Sequence, residues 1–242
     1  MKLLAPMAGI TNGEFAIKLI PYGFNAVSIG GYDIDKETIN AGAEILKRNR
    51  KEFHYPEDKI KEVINDEVNF IKSKYPNIIV SANLRAVSPI PFKKISEIDN
   101  LDIIEINCHC RQPELTSIGC GQSMLKRHDL EDYLKTVTRN SKSKVSLKMR
   151  ANVEGVDDLE IAKIAEECGV DYLHIDAMKK GVHDADYDLI KKISEETNIY
   201  IIGNNSITSL ENAKKMLEYG ADGFSIARAA IQGKLGFKLT EL

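Results

Sequence analysis

The sequence predicts an α/β fold, a single (β/α)8 TIM barrel of parallel strands, on three observations. Eight short apolar segments alternate with amphipathic helical stretches, the segments are apolar on both faces, and no linker or low-complexity tract interrupts them. One domain over residues 1–242 follows.

Taken in order, the strand-like segments are Lys2 to Ala5, Ala26 to Ile29, Ile78 to Leu84, Ile103 to Asn107, Lys144 to Met149, Tyr172 to Asp176, Tyr200 to Ile202 and Gly223 to Ile226. Helical periodicity marks Lys59 to Lys74, Leu130 to Asn140, Asp157 to Cys168, Ala185 to Glu196 and Ser209 to Tyr219. Several of these open on a Ser or Asp able to cap a helix. A doubly wound open sheet normally uses about five or six strands, and its Gly-rich turn is absent after the first segment. The chain stops soon after the eighth segment, at GKLGFKLTEL, so a truncated last outer helix is expected.

With 242 residues, 43% of them hydrophobic, the chain can bury a large core. It has no signal pattern and no apolar run near the roughly 20 residues of a membrane helix. A cytoplasmic protein with no membrane partner is therefore expected, and its four cysteines are expected to be reduced thiols. The net charge of -3 excludes a uniformly basic surface, but Lys47-Arg48-Asn49-Arg50-Lys51 and Lys126-Arg127 are local basic patches.

Barrels carry their chemistry at the C-terminal ends of the strands and on the loops that follow. Those ends hold Pro6 and Met7, Asn83 and Arg85, Asn107 with Cys110, Lys148 and Arg150, His174 and Asp176, Asn204 and Asn205, and Arg228. In SLKMR, alternation puts Ser146, Lys148 and Arg150 on one face and Val145, Leu147 and Met149 on the other. An unpaired cation under the helix layer costs of order several kcal/mol, so Lys148 is placed toward the barrel mouth. IIGNNSITS and GADGFSIARAA put small residues where a strand gives way to a helix, a setting for phosphate, with Ala227 and Arg228 at the second turn.

From Glu105 to Leu125 the chain packs three of its four cysteines into one segment. Zinc pairs are usually spaced about two to four residues apart, whereas Cys108 and Cys110 are separated by one, and no metal site is expected. A Cys108–Cys110 disulfide is sterically poor. Cys108, Cys120 and Cys168 are read as buried fillers and Cys110 as the exposed thiol.

Together these segments resemble the tRNA-dihydrouridine synthases, a family of flavin-containing barrel enzymes. The resemblance is carried by LAPMAGITN, INCHCRQPELTSIGCGQSML, LKMR, IIGNNSI and GADGFSIARAA, from Ala5 to Ala230. It implies a bound FMN, reduced by NADPH or NADH, and reduction of the uridine C5=C6 bond in tRNA with Cys110 as general acid. It further implies that Pro6, Met7, Asn83, Lys148, His174, Asp176, Asn204, Asn205, Ala227 and Arg228 serve the cofactor. Asn107, Arg111 and Arg150 would serve the substrate. The chain departs from the family's pattern at Arg111, where a proline is usual, and at Asp176, Asn83 and Asn205. The family's helical C-terminal tRNA-binding domain is expected to be missing. The alternatives are an FMN-dependent reductase or dehydrogenase of a small pyrimidine-like molecule, and a phosphate-binding barrel without redox activity.

Overall fold

A computed structural model describes residues 1–242. Its strands are β1 (Lys2–Leu4), β2 (Ala26–Asp33), β3 (Ile79–Arg85), β4 (Ile103–Cys108), β5 (Lys144–Arg150), β6 (Tyr172–Asp176), β7 (Tyr200–Asn204) and β8 (Gly223–Ile226). All neighbours pair in parallel, and β8 pairs with β1 to close the barrel. The helices are α1 (Gly13–Leu19), α2 (Lys36–Lys47), α3 (Ile60–Lys74), α4 (Pro91–Ser96), α5 (Pro113–Thr116), α6 (Leu130–Asn140), α7 (Asp158–Glu167), α8 (Tyr187–Glu196) and α9 (Leu210–Glu218). No α-helix follows β8; two short 3-10 turns stand in its place.

Each predicted strand is present; β3, β4 and β5 run one residue further at their C-terminal ends, and β2 and β7 are extended by more. β2 runs four residues past Ile29, because Gly30-Gly31 stays paired to β3 through a register shift before Tyr32. Small residues hide such a strand end from an apolar-run reading. β7 continues through Gly203 to Asn204, which brings that asparagine to the barrel rim. α2 opens on a capping box of Asp35 and Thr38 and buries Thr38, Ala41, Gly42 and Ile45.

The core lies between strands and helices. Val145, Leu147 and Met149 of β5 point outward into it, as do Leu130, Tyr133, Leu134 and Val137 of α6. Burying each large side chain of this kind stabilises the fold by about 1.5–3 kcal/mol. Inside the barrel the order is different. At the floor Leu3, Ala26 and Ile202 form an apolar plug with Ile79, Tyr172 and Tyr200. The next layer up is polar, and it positions the site.

Candidate active site at the mouth of the barrel

The polar layer centres on Glu105, an acidic residue in the otherwise apolar IIEIN of β4. Its side chain is 1% exposed and would be costly to bury alone. Here it is surrounded by donors: Asn83 Nδ2 at 2.8 Å, Ser146 Oγ at 3.1 Å, Ser28 Oγ at 3.5 Å and His174 Nδ1 at 2.7 Å. Burial pushes its carboxyl up, but His174, the Lys148 charge and these hydrogen bonds outweigh it and hold Glu105 at about 2. Burial and then the Lys148 charge push His174 down to about 4. Its imidazole is therefore neutral at neutral pH.

Lys148 stands beside this pair on β5, and its residue is 4% exposed. Its Nζ lies 2.8 Å from His174 Nε2, and the ring nitrogens of His174 are its only hydrogen-bond partners in the chain. No carboxylate or carbonyl oxygen of the chain accepts from the amine. Burial lowers the Lys148 pKa, opposed by Glu105 and Asp176.

From Glu105 a second line of hydrogen bonds runs to the cysteine loop. Asn107 Nδ2 donates to Asn83 Oδ1 at 2.8 Å, and Asn107 Oδ1 accepts from the backbone N–H groups of His109 (3.1 Å) and Cys110 (2.9 Å). That pair of bonds curls the loop around the end of β4 and presents Cys110, half-buried, at the mouth. Gly121 lies directly against the Cys110 carbonyl at φ +62°, where any side chain would collide with that backbone. Gln122 N–H donates to the same carbonyl at 2.8 Å. Cys108, Cys120 and Cys168 are buried. Burial pushes the Cys120 thiol up to about 12 and raises Cys108 as well.

Beside that loop, Asp176 at the end of β6 gathers three side chains. His109 Nε2 lies 2.8 Å from Asp176 Oδ2, Arg150 Nη1 donates to that oxygen at 3.0 Å, and Asn205 Nδ2 donates to Oδ1 at 2.6 Å. Despite burial, the His109 hydrogen bond and its neighbours hold Asp176 well below the usual carboxylate range. After β7 the backbone turns through positive φ at Asn205 (107°) and Ser206 (53°). The N–H groups of Asn205, Ser206 and Ala227 donate to no group in the chain. Arg228 follows, exposed and outside every ion pair, as is Arg111 after the cysteine.

Beneath the β2 and β3 ends lies a third charged group. Arg85 Nη2 donates to Glu52 at 2.8 Å, to Asp33 Oδ2 at 3.2 Å and to the Gly31 carbonyl at 3.1 Å. Arg85 Nε also approaches Asp33 Oδ1 at 2.8 Å as an ion pair without hydrogen-bond alignment. Burial pushes Asp33 up to about 7 against the pull of Arg85. This cluster fastens the segment after α2 to the barrel.

The sequence-derived residues divide accordingly. Cys110, Arg111, Lys148, Arg150, Asp176, Asn204, Asn205, Ala227 and Arg228 gather at one end of the barrel. Pro6 and Met7 begin the loop after β1 at that same end, where Met7 N–H donates to Thr11 Oγ1 at 3.0 Å. Three others lie deeper than their expected ligand-contacting places. His174 is fully buried with both ring nitrogens engaged; Asn83 has its oxygen and one amide N–H committed within the barrel. Asn107 spends its oxygen on the loop and one N–H on Asn83. Of the two basic patches, Arg48 pairs with Glu114 at 2.7 Å and Arg127 with Asp129 at 2.7 Å, leaving Arg50, Lys51 and Lys126 exposed and outside any ion pair. Sequence reasoning missed Glu105, Ser225 and the Asp176–His109 contact. A lone carboxylate inside IIEIN was the available signal, since a buried charge demands partners.

Comparisons with known proteins place this arrangement. The model of the family "Dihydrouridine synthase (Dus)" matches residues 90–234. An uncharacterized protein of Methanocaldococcus jannaschii is 40% identical over 240 residues, covering 96% of this chain and 90% of that one. The tRNA-dihydrouridine synthase B of Vibrio vulnificus is 30% identical over 243 residues, covering 96% of this chain and 68% of its own. Among solved structures, the N-acetylmannosamine-6-phosphate 2-epimerase from Clostridium perfringens aligns with a TM-score of 0.57 at 13% identity, over 95% of this chain and 86% of that one. FabK from Thermotoga maritima aligns with a TM-score of 0.57 at 14% identity, over 93% of this chain and 57% of that one. The two structures share the barrel alone, whereas the family match takes in β4 with its cysteine loop, Lys148 and both turns at the β7 and β8 ends: the chain belongs to the dihydrouridine synthase family.

Proposed function

We propose that this chain is an FMN-dependent oxidoreductase that reduces the C5=C6 bond of uridine in tRNA, with Cys110 as the proton donor. The observation that carries the reading is the buried Lys148 amine, hydrogen-bonded to no oxygen of the chain, at the same end of the barrel as the half-buried Cys110 thiol. The name of the Vibrio vulnificus relative, tRNA-dihydrouridine synthase B, supports tRNA as the substrate class.

The donor set fits a flavin mononucleotide. Lys148 would donate to the electron-rich edge of the ring, where its charge offsets added electron density. The free N–H groups of Asn205, Ser206 and Ala227, with the Arg228 guanidinium, would hold the phosphate. Pro6 and Met7 would lie along the ring through their backbone. When bound, the flavin supplies the hydride for one ring carbon of the base, after reduction by NADPH or NADH.

The chain supplies the proton. The Cys110 S–H would pass its proton to the neighbouring carbon and recover one from solvent. Arg111 and Arg150 would donate to the base carbonyls or to an adjacent phosphate. A uridine must be unstacked to reach this depth, and exposed Arg50, Lys51 and Lys126 would meet the flanking phosphates. No helix of the chain is long and apolar enough to cross a membrane, and a cytoplasmic site of action is proposed.

Two measurements test the reading. Purified protein incubated with FMN should show a bound-flavin absorption spectrum, and tRNA from cells lacking the gene should lose dihydrouridine at one or more positions by mass spectrometry. A protein that takes up no flavin, or tRNA unchanged at every position, sinks it. Cys110→Ala should keep the flavin spectrum and lower the rate of uridine reduction by about 10²-fold or more; full turnover removes Cys110 from its role.

A further inference from the structure

Glu105 on β4, Lys148 on β5 and His174 on β6 stand on three consecutive strands, and the proton-transfer step uses neither Glu105 nor His174. His174 touches both of the others: Glu105 Oε2 lies 2.7 Å from Nδ1, and Lys148 Nζ lies 2.8 Å from Nε2 and 3.3 Å from Nδ1, over the face of the ring. An ionised carboxylate only accepts and an ammonium only donates. The ionised carboxylate therefore takes the imidazole proton of Nδ1, while the ammonium lies against the face of the ring and leaves the in-plane lone pair of Nε2 to another donor. Ser225 Oγ, 2.6 Å from the same Nε2, takes an amide proton from Asn204 at 2.6 Å and so has its own hydrogen free for the ring.

We propose that Glu105 and His174 are positioning residues that keep the Lys148 ammonium charged inside the barrel, the neutral imidazole transmitting the Glu105 carboxylate to it. Burial by itself would drive this amine toward its neutral form, and a neutral amine would lose most of its hold on a negative ring edge. The charged and titratable groups around Lys148 are Glu105 on β4, His174 and Asp176 on β6, and His109 on the loop after β4. Asp176 is already spent on His109, Arg150 and Asn205. Glu105 is thus the carboxylate left to balance the lysine, and His174 is the contact between them. What the charge is for rests on the flavin reading above; that it is held this way does not.

The test uses the flavin-free protein. With side-chain-labelled lysine, the Lys148 resonance, assigned by its loss in Lys148→Arg, is followed against pH by NMR. In Glu105→Gln the midpoint of Lys148 deprotonation should fall by about one pH unit or more, a tenfold change in its protonation ratio, with a smaller fall in His174→Asn. Midpoints unmoved in both variants overturn the proposal. Should either variant fail to fold, the unaltered protein still decides: long-range proton–nitrogen NMR should find His174 neutral at pH 7 with its proton on Nδ1. An Nε2–H tautomer or an imidazolium overturns the proposal. In the FMN-loaded protein, Glu105→Gln should also lower the flavin midpoint potential, which a purely structural role for Glu105 would leave in place. A chain that binds no FMN removes the flavin reading and leaves the lysine titration to decide this one.

Discussion

His174 is the residue whose protonation most constrains the molecule. Its folded-state value of about 4 lies below the ordinary 6.5, so between those pH values the unfolded chain binds more protons than the folded one. Stability therefore rises with pH through that window and is lost as pH falls from about 6.5 toward about 4. The loss is on the order of 3 kcal/mol for a shift of this size, and the coupled Glu105 carboxylate, held at about 2, extends it in the same direction. Denaturant unfolding between pH 4 and 7 should show this slope in the unaltered protein and a flatter one in His174→Asn; equal slopes would remove the assignment. Lys148 was legible because a strand's alternation leaves a cation only one tolerable face. Glu105 was not, because what neutralises it comes from His174, 69 positions along the chain, and no local pattern encodes that meeting.

At the scale of elements, the loop that joins β4 to α5 and the 3-10 turn of Gly121–Lys126 form one packed unit under the mouth. Gly121 is its tightest point. Gly121→Ala adds a methyl group against the Cys110 carbonyl at a positive φ, and should cost about 1–3 kcal/mol in thermal unfolding. It should reduce uridine reduction more than flavin retention, since the displaced element carries the thiol and not the proposed phosphate turns. Comparable losses in both would place the loop's role elsewhere. The element order was readable from the sequence, because buried parallel strands and one-sided helices have different apolar periods. Strand ends were less so. At the ends of β2 and β7, glycine and asparagine replace the apolar residues by which a strand is recognised, and those ends lie at the mouth of the barrel.

For the whole molecule, charge is distributed by level. The carboxylates Glu105, Asp33 and Glu52 are buried beneath cations, while Arg111, Arg228, Arg50 and Lys51 are exposed with no ion pair. A net charge of -3 therefore coexists with a rim suited to phosphates. Binding of tRNA should weaken steeply as salt rises, and the charge-removing double substitution of Arg50 and Lys51 by Gln should reduce the slope of log affinity against log salt by about 1–2. A slope left unchanged would move the RNA to another face. The barrel was legible as a whole, but this vertical sorting was not, since it exists only once eight strands bring their interior residues to common heights.

Asn83 touches neither the thiol nor the ammonium, yet it ties the two together. One end of its amide holds Glu105 and the other holds Asn107, whose oxygen in turn fixes the backbone of Cys110. The proposed proton donor and the buried lysine are thus joined in series, like two tools on one handle. Neither can drift in height or tilt without drawing the other along, and their spacing is a property of β3, a strand that supplies no reacting atom at all.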